Sequence, residues 1–600
     1  MHSLPLGLLL LSSVAQLSSA AYTWPSPQYD ALEGLLYEGR RPDGSSLAAL
    51  VHPCRKRTQT LASVGAEWLR FAFHDSATHN IDDGTGGLDG SLVYELSRGE
   101  NFGIGFTQTS ADFELFPNKY ISRADVIAIG AVHAVSTCGG PIIPFRGGRV
   151  DTFVAGGTGT PEPQQDIDTL TESFRKQGYT KEDMIKLVAC GHTMGGVRSD
   201  DFPQLVPQVD GKAVIADFDT TMDFDNKIAT EYLDGTTQNV LVKTDNVTMR
   251  ADLRVFESDG NSTIRAMASA DVFQSDCLDV LGRMLEKVPK GVSLTDEITL
   301  LPEKVTYAQF AIENNKLVYK TNLRLLQKLN TNPSASRVVT MFWCDRAGAN
   351  KDCKGKTKSS VTVKKVPESP NISPVTLKLG YYLINYNFVV PIDANESIAK
   401  FWFEVDEGDG SKPTAYNNGG NNYVVDQDQV FFVPTLSKVD SISNNTGTVS
   451  RRGGGGGEPV GDFYKSYNLV VAVRDGTSPS RVYVDGHDSA VKAYAYAVQN
   501  TVDLQLDSST TPIAGYKFYK GVFQSSGLQL TIDVKADADG QTYTQGFVGT
   551  APLDNTVITD PGTINTDKKS TAGAISWREG WTFSLVFSLV AAAMFNWSPL

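Results

Sequence analysis

The period of the hydrophobic pattern changes near Pro289, and this change limits the fold more than any other feature of the chain. Upstream, apolar residues recur at helical spacing. Leu61, Val64, Trp68, Leu69, Ala72 and Phe73 do so across Thr60 to Ser76, and Val126, Ile129, Val132 and Val135 follow a Ser122 cap with Asp125 three later. A further helix is predicted from Thr180 to about His192, and another from about Ser269 to Lys287. Downstream, "VTLKLGYYLINYNFVV", "KFWFEV" and "YNLVVAVRD" alternate between apolar and polar positions, or run briefly apolar, between turn residues. The two periods cannot share one kind of packing. A multi-domain chain is expected: a mainly α-helical domain, then a β-rich, sandwich-like C-terminal region. Six hundred residues leave room for two or three cores. The run "RRGGGGGEP", Arg451 to Pro459, reads as a flexible loop or linker that could separate two β units.

Both ends of the chain read as targeting segments. Residues 1–20, "MHSLPLGLLLLSSVAQLSSA", have the short apolar stretch and small-residue end of a secretory signal peptide. Residues 566–600 offer small residues from Ser570 to Ala574, a polar spacer, and an apolar tail from Trp581 to Phe595, the pattern of a GPI-anchor signal. The expectation is a secreted protein held at the cell surface, touching membrane through its lipid anchor alone. Sequons at Asn246, Asn261, Asn371, Asn395 and Asn444 agree with export. Six cysteines in an oxidising compartment suggest three disulfides, in any of fifteen pairings. A net charge of −14 argues against nucleic acid as a partner.

The helical half carries an unusual constellation. In "EWLRFAFHDSATHN", Arg70 and His74 stand four apart and share a helix face beside Phe73. Charged groups on an apolar face need a reason to be there. Just downstream, Asp75, Gly87, Asp89 and Ser91 supply carboxylates, a carbonyl and a hydroxyl, the hard oxygens that calcium prefers. An acidic turn without metal has the same composition. In "LVACGHTMGG", His192 ends an apolar helix and needs a partner or a metal, and "VKTDN" offers Asp245 as the carboxylate.

The segments "RFAFHD", "GGLDGS", "ENFGIGF", "GGPIIPFRGGRVD", "CGHTMGG" and "VKTD" occur in the order seen in the plant, fungal and bacterial haem peroxidase superfamily, and the chain resembles that family over about Ala21 to Pro289. Several motifs look closest to the cytochrome c and ascorbate peroxidases, while Phe73 makes the chain look like the secreted fungal enzymes. The resemblance implies a haem peroxidase domain at 21–290, a β-rich region at 300–565, haem b as cofactor, hydrogen peroxide as oxidant and a small phenolic or aromatic reducing substrate. It implies that His74 is the distal acid–base, that Arg70 stabilises charge as the O–O bond breaks, and that Asn101 accepts the other imidazole N–H of His74. It makes His192 the ligand of the haem iron, with Asp245 behind it. One Ca²⁺ is expected at Asp75, Gly87, Asp89 and Ser91, and a second at Thr193, Asp219, Thr221 and Asp225. By analogy Cys54 pairs with Cys138 and Cys190 with Cys277; Cys344 and Cys353, close in sequence within the β region, could close a short loop.

Departures from the family refine the expectation. No tryptophan lies between Trp68 and Trp343, so a proximal tryptophan radical site is absent. Glu67, Ser63 and Arg198 fall where a manganese site would need three carboxylates, which disfavours manganese oxidation. His52, His79, His133 and His487 read as ordinary surface or core histidines. A second class of function stays open: a surface adhesion or carbohydrate-binding protein whose β half meets the cell wall and whose peroxidase half is degenerate.

Overall fold

A computed structural model describes residues 26–41, 45–354, 358–364, 373–443, 463–488, 498–525, 530–550 and 553–558. The leader, the C-terminal tail, the sequons at Asn371 and Asn444 and the glycine run at 451–459 lie outside these residues.

The helical half follows the sequence period closely. Val64–Ser76 forms the helix that carries Arg70 and His74, and Ser63 caps it by accepting from the Ala66 N–H at 3.3 Å. Its inward residues Trp68, Leu69 and Ala72 are fully buried against the helix Arg123–Thr137. That second helix is capped by Ser122, as its sequence predicts, with the Asp125 N–H at 2.9 Å. Lys181–His192 begins on a reciprocal cap between Thr180 and Asp183 and ends on His192 itself. Ala270–Leu285 packs on that helix, and the Cys190–Cys277 disulfide ties the two together. The Cys54–Cys138 disulfide ties the segment before the first helix to the end of the second. All three expected disulfides are present, Cys344–Cys353 included.

The β-rich half holds two packed units. In the first, the antiparallel sheet Glu303–Glu313, Lys316–Lys328 and Tyr381–Pro391 faces a sheet built around Val338–Cys344 and Lys400–Asp406. Tyr319, Tyr386, Phe388, Phe401 and Phe403 fill the space between them. In the second, a sheet centred on Phe463–Arg474 and Tyr516–Ser525 faces one centred on Arg481–Asp488 and Leu530–Ala538. The division between units does not fall at the glycine run. Lys438–Ser443 pairs antiparallel with Phe463–Arg474, Ser443 opposite Phe463, so residues 444–462 join two neighbouring strands of one sheet. Glycine content marked a connection, but pairing across it decided that both flanks belong to one unit.

The halves are locked together by buried charge. Glu33, beneath the helical domain, meets Arg324 of the first β unit at 2.5 Å and Lys304 at 2.9 Å, with Glu33 and Arg324 wholly buried. The short helix Pro374–Lys378 leaves the β region and packs on the helical domain, where Ser373 donates to the Leu36 carbonyl at 2.8 Å and Thr376 to the Tyr37 carbonyl at 2.6 Å.

Candidate active site

A cavity of about 400 Å³ opens in the helical half, and His74 and His192 both line it. The first comes from the helix Val64–Ser76 and the second from the end of Lys181–His192. Arg70, Phe73, Phe218 and Leu241 also form its walls. Two helices that end on one void thus bring together residues more than a hundred positions apart.

The His74 side has a defined proton arrangement. Asn101 Nδ2 donates to the Glu95 carbonyl at 3.2 Å, which orients the amide so that its Oδ1 faces His74 Nδ1 at 2.8 Å. Nδ1 must then carry the proton, and Nε2 keeps a free lone pair. Burial and the positive charge of Arg70 hold the His74 imidazole down to about 3, against the pull of Asn101. It is therefore a neutral base at any ordinary pH. The Arg70 guanidinium is accessible yet deep, because what it faces is the cavity. Burial lowers it to about 10, so it stays charged at neutral pH. It packs 4.3 Å over the Phe106 ring and donates to the Phe102 carbonyl at 3.3 Å. Gly103 makes room for this. Its φ is +123°, and a Cβ there would stand 3.4 Å from both Arg70 Nη1 and Asp201 Oδ2.

The His192 side corrects the sequence expectation. Nδ1 of His192 meets Asp252 Oδ2 at 2.8 Å, and Asn239 Nδ2 holds the same oxygen at 2.7 Å. Asp245 is exposed in the loop before Asp252's helix and has no contact with His192. The two carboxylates are seven positions apart, and the chain between them turns from a surface loop into the helix Ala251–Glu257. A signal was there to read. Asp252 shares a face with Val255 and Phe256, three and four positions on, and a carboxylate on an apolar stripe needs a partner. Sequence reading also passed over Phe218, whose ring stacks on His192 with centroids 4.5 Å apart and planes within 17°.

Both proposed calcium sites gather their oxygens. Asp75 is fully buried, accepts from the Gly90 N–H at 2.8 Å and the Leu92 N–H at 2.9 Å, and is raised well above its ordinary value by burial and by Asp89. Asp89 is itself raised to about 6, chiefly by burial. Ser91 Oγ is buried beside Asp89, and Gly87 sits at φ +116° where a Cβ would strike Lys287. At the second cluster, Thr193 Oγ1 donates to the Asp225 carbonyl at 2.5 Å and Thr221 Oγ1 to Asp225 Oδ2 at 3.0 Å. Asp219 Oδ2 is buried without a partner among the described residues, and burial lifts its carboxyl to about 7. Crowded carboxylates and buried oxygens fit a hard divalent cation. Each cluster has two carboxylates, and among the described residues no group of three or more His, Cys, Asp or Glu side chains is set to hold a metal. Hydroxyl and carbonyl oxygens would have to complete either shell.

Glu67, the one carboxylate at the position of a manganese site, is engaged by Arg57, which also holds Asp112 at 2.6 Å. His133 is an ordinary buried histidine whose Nε2 bonds the Leu36 carbonyl at 2.9 Å.

The helical domain thus holds a cavity between a histidine poised as a base and a histidine backed by a carboxylate. The Peroxidase family profile matches residues 52–272, and this part of the chain belongs to the plant and fungal type of the haem peroxidase superfamily. Among similar proteins is a WSC domain-containing protein of Arthroderma benhamiae, 37% identical over 335 residues, covering 55% of this chain and 46% of that protein. L-ascorbate peroxidase 5 of Arabidopsis thaliana is 31% identical over 182 residues, 30% of this chain and 61% of its own. The mitochondrial cytochrome c peroxidase of Cryptococcus neoformans is 33% identical over 133 residues, 21% of this chain and 35% of its own. The chain thus spans less than two thirds of each of these relatives.

Proposed function

We propose that the chain is an extracellular haem peroxidase that reduces hydrogen peroxide at the expense of small phenolic or aromatic donors. The observation that carries this reading is the placement of His74 and His192 on one cavity, each with its Nδ1 held by a fixed acceptor.

Haem, when bound, supplies the iron and the ring on which peroxide is reduced and from which donors are oxidised. His192 would hold it through Nε2. Asp252, already bonded to Nδ1, orients that ring and increases its basicity. From another wall of the cavity, Nε2 of His74 would take the proton from one peroxide oxygen and return it to the other, which leaves as water. The low pKa of His74 suits a proton acceptor that must be neutral before peroxide arrives. Arg70 offsets the negative charge that builds as the O–O bond lengthens. Phe73 and Phe218 cover the cavity walls with apolar surface, which keeps water from competing for these polar groups.

Three disulfides support an oxidising compartment and with it the secreted, surface-anchored location. No helix among the described residues is long and apolar enough to cross a membrane. The β-rich half is read as the part that contacts the cell wall. The alignment with the WSC domain-containing relative is longer than the peroxidase segment, so the two proteins share more than the catalytic half.

The test is spectroscopic. Purified full-length protein titrated with haem should give a Soret band at one equivalent, and stopped-flow mixing with peroxide should change it within milliseconds to seconds. A protein that takes up no haem would end the reading.

A further inference from the structure

The rim of the cavity carries a charge pattern that the peroxidase reading does not use. Glu100, Glu162, Asp201 and Arg198 line it, with Glu67 further in. The arginines that face these carboxylates are all shared. Arg198 is held by Asp201 at 3.2 Å and also by Asp200 at 2.7 Å. Arg98, 3.6 Å from Glu100, is closer to Glu95 at 3.1 Å. Arg57, which engages Glu67, also binds Asp112 at 2.6 Å. Glu162 has no ion-pair partner among the described residues. Each of these three arginines is therefore shared between two carboxylates. Arg70, within the cavity, also feels Asp201 and Glu67 and donates to the Phe102 carbonyl; with it counted, the carboxylates Glu67, Glu95, Glu100, Asp112, Glu162, Asp200 and Asp201 still outnumber Arg57, Arg70, Arg98 and Arg198.

Beside this acidic rim stands an aromatic pair. Phe102 is 55% exposed, although it is a large apolar side chain, and its ring meets Phe202 edge-on with centroids 5.8 Å apart. Both line the cavity, and Asp201 precedes Phe202 directly. An exposed aromatic edge at a mouth offers apolar contact to a flat ring. A mouth lined by one sign of charge attracts small ions of the opposite sign and repels those of its own.

Resting on the peroxidase reading, we propose that this rim selects reducing donors by charge: neutral and cationic aromatic molecules are admitted between Phe102 and Phe202, and anionic donors such as ascorbate are turned away by Asp201, Glu162 and Glu100. The device works by repulsion of the wrong donor as much as by attraction of the right one. Haem, when bound, would accept electrons one at a time from donors held at the mouth, each donor giving up one electron and releasing a proton to water.

Two measurements on the full-length protein separate this proposal from the reading beneath it. First, calorimetric binding of benzyltrimethylammonium and of benzenesulfonate needs no turnover. The cation should bind on the order of tenfold tighter at low ionic strength, and the difference should close in high salt. Asp201→Asn with Glu162→Gln should shrink the difference, and Phe102→Ala should weaken both ligands while leaving their ratio. Second, with haem bound, an aromatic amine should reduce the peroxide-treated protein faster than ascorbate, and added salt should slow the amine and speed ascorbate. Equal binding of the two ions, or ascorbate as the faster donor at low salt, would overturn charge selection while haem and peroxide chemistry stood. Absence of a Soret band with the cation preference intact would sink the peroxidase reading and leave the rim's preference for cations in place.

Discussion

Asp252, and not Asp245, stands behind His192: its Oδ2 lies 2.8 Å from the imidazole Nδ1 and is pinned by Asn239 from the other side. Removing the charge at Asp252 while keeping the shape should loosen the hold on haem. Asp252→Asn is expected to lower haem affinity or the rate of the peroxide step by about 10–100-fold. Asp245→Asn should leave both within twofold of the parent. Haem titration and stopped-flow absorbance of the two variants check this, and the opposite ranking would return the role to Asp245.

On the other wall, the pair His74–Asn101 fixes which nitrogen is basic. His74→Ala should keep the haem spectrum while slowing the peroxide reaction by about 10²–10⁴-fold or more. Asn101→Ala should produce a smaller loss, because the imidazole remains but its tautomer is no longer held. Peroxide rates for Asn101→Ala as low as those of His74→Ala would mean that Asn101 does more than orient the ring.

The buried oxygens around Asp89 and Asp219 predict a calcium response. Calcium added to chelated protein should raise the melting temperature, by an amount corresponding to about 2.7 kcal/mol per site at a hundredfold excess over Kd. Asp89→Asn should abolish one part of that response and Asp219→Asn the other. A melting curve that is indifferent to both chelator and calcium would remove both sites.

Glu33 and Arg324 make acid stability a property of the junction between the halves. Burial alone would raise the Glu33 carboxyl, but Arg324 and Lys304 outweigh it and draw it down to about 2. A carboxylate depressed in the folded state stabilises fully above its unfolded value, about 4.5, and that contribution drains away as pH falls from there toward 2. Thermal melts between pH 6 and pH 2 should therefore lose stability mainly below pH 4.5. Arg324→Leu leaves Glu33 buried beside Lys304 alone and should cost about 3–5 kcal/mol at neutral pH. Adding Glu33→Leu to it should recover part of the loss. A single variant as stable as the parent would show that the junction does not depend on this pair.

Much of the site was legible because it is local. Arg70 and His74 share a face through the covalent period of the helix, Ser122 and Thr180 announce helix starts through the chemistry of their caps, and the change of period near Pro289 separates helices from strands. These depend on residues a few positions apart, so the sequence by itself determined them. The resemblance to peroxidases added the pairings Cys54–Cys138 and Cys190–Cys277, and closeness in sequence suggested Cys344–Cys353.

Tertiary structure decided what depends on the path of the chain through space. Asp245 and Asp252 are both carboxylates downstream of His192, and the packing of the helix Ala251–Glu257 chooses between them. The glycine run lies between strands that pair with each other, which composition does not reveal. The stacking of Phe218 on His192 and the sharing of Arg57, Arg98 and Arg198 between carboxylates are relations among side chains that only folding makes neighbours. Periodicity is set by bond geometry and can be read along the chain. Distances across the fold arise from the packing of whole elements, and no stretch of sequence states them.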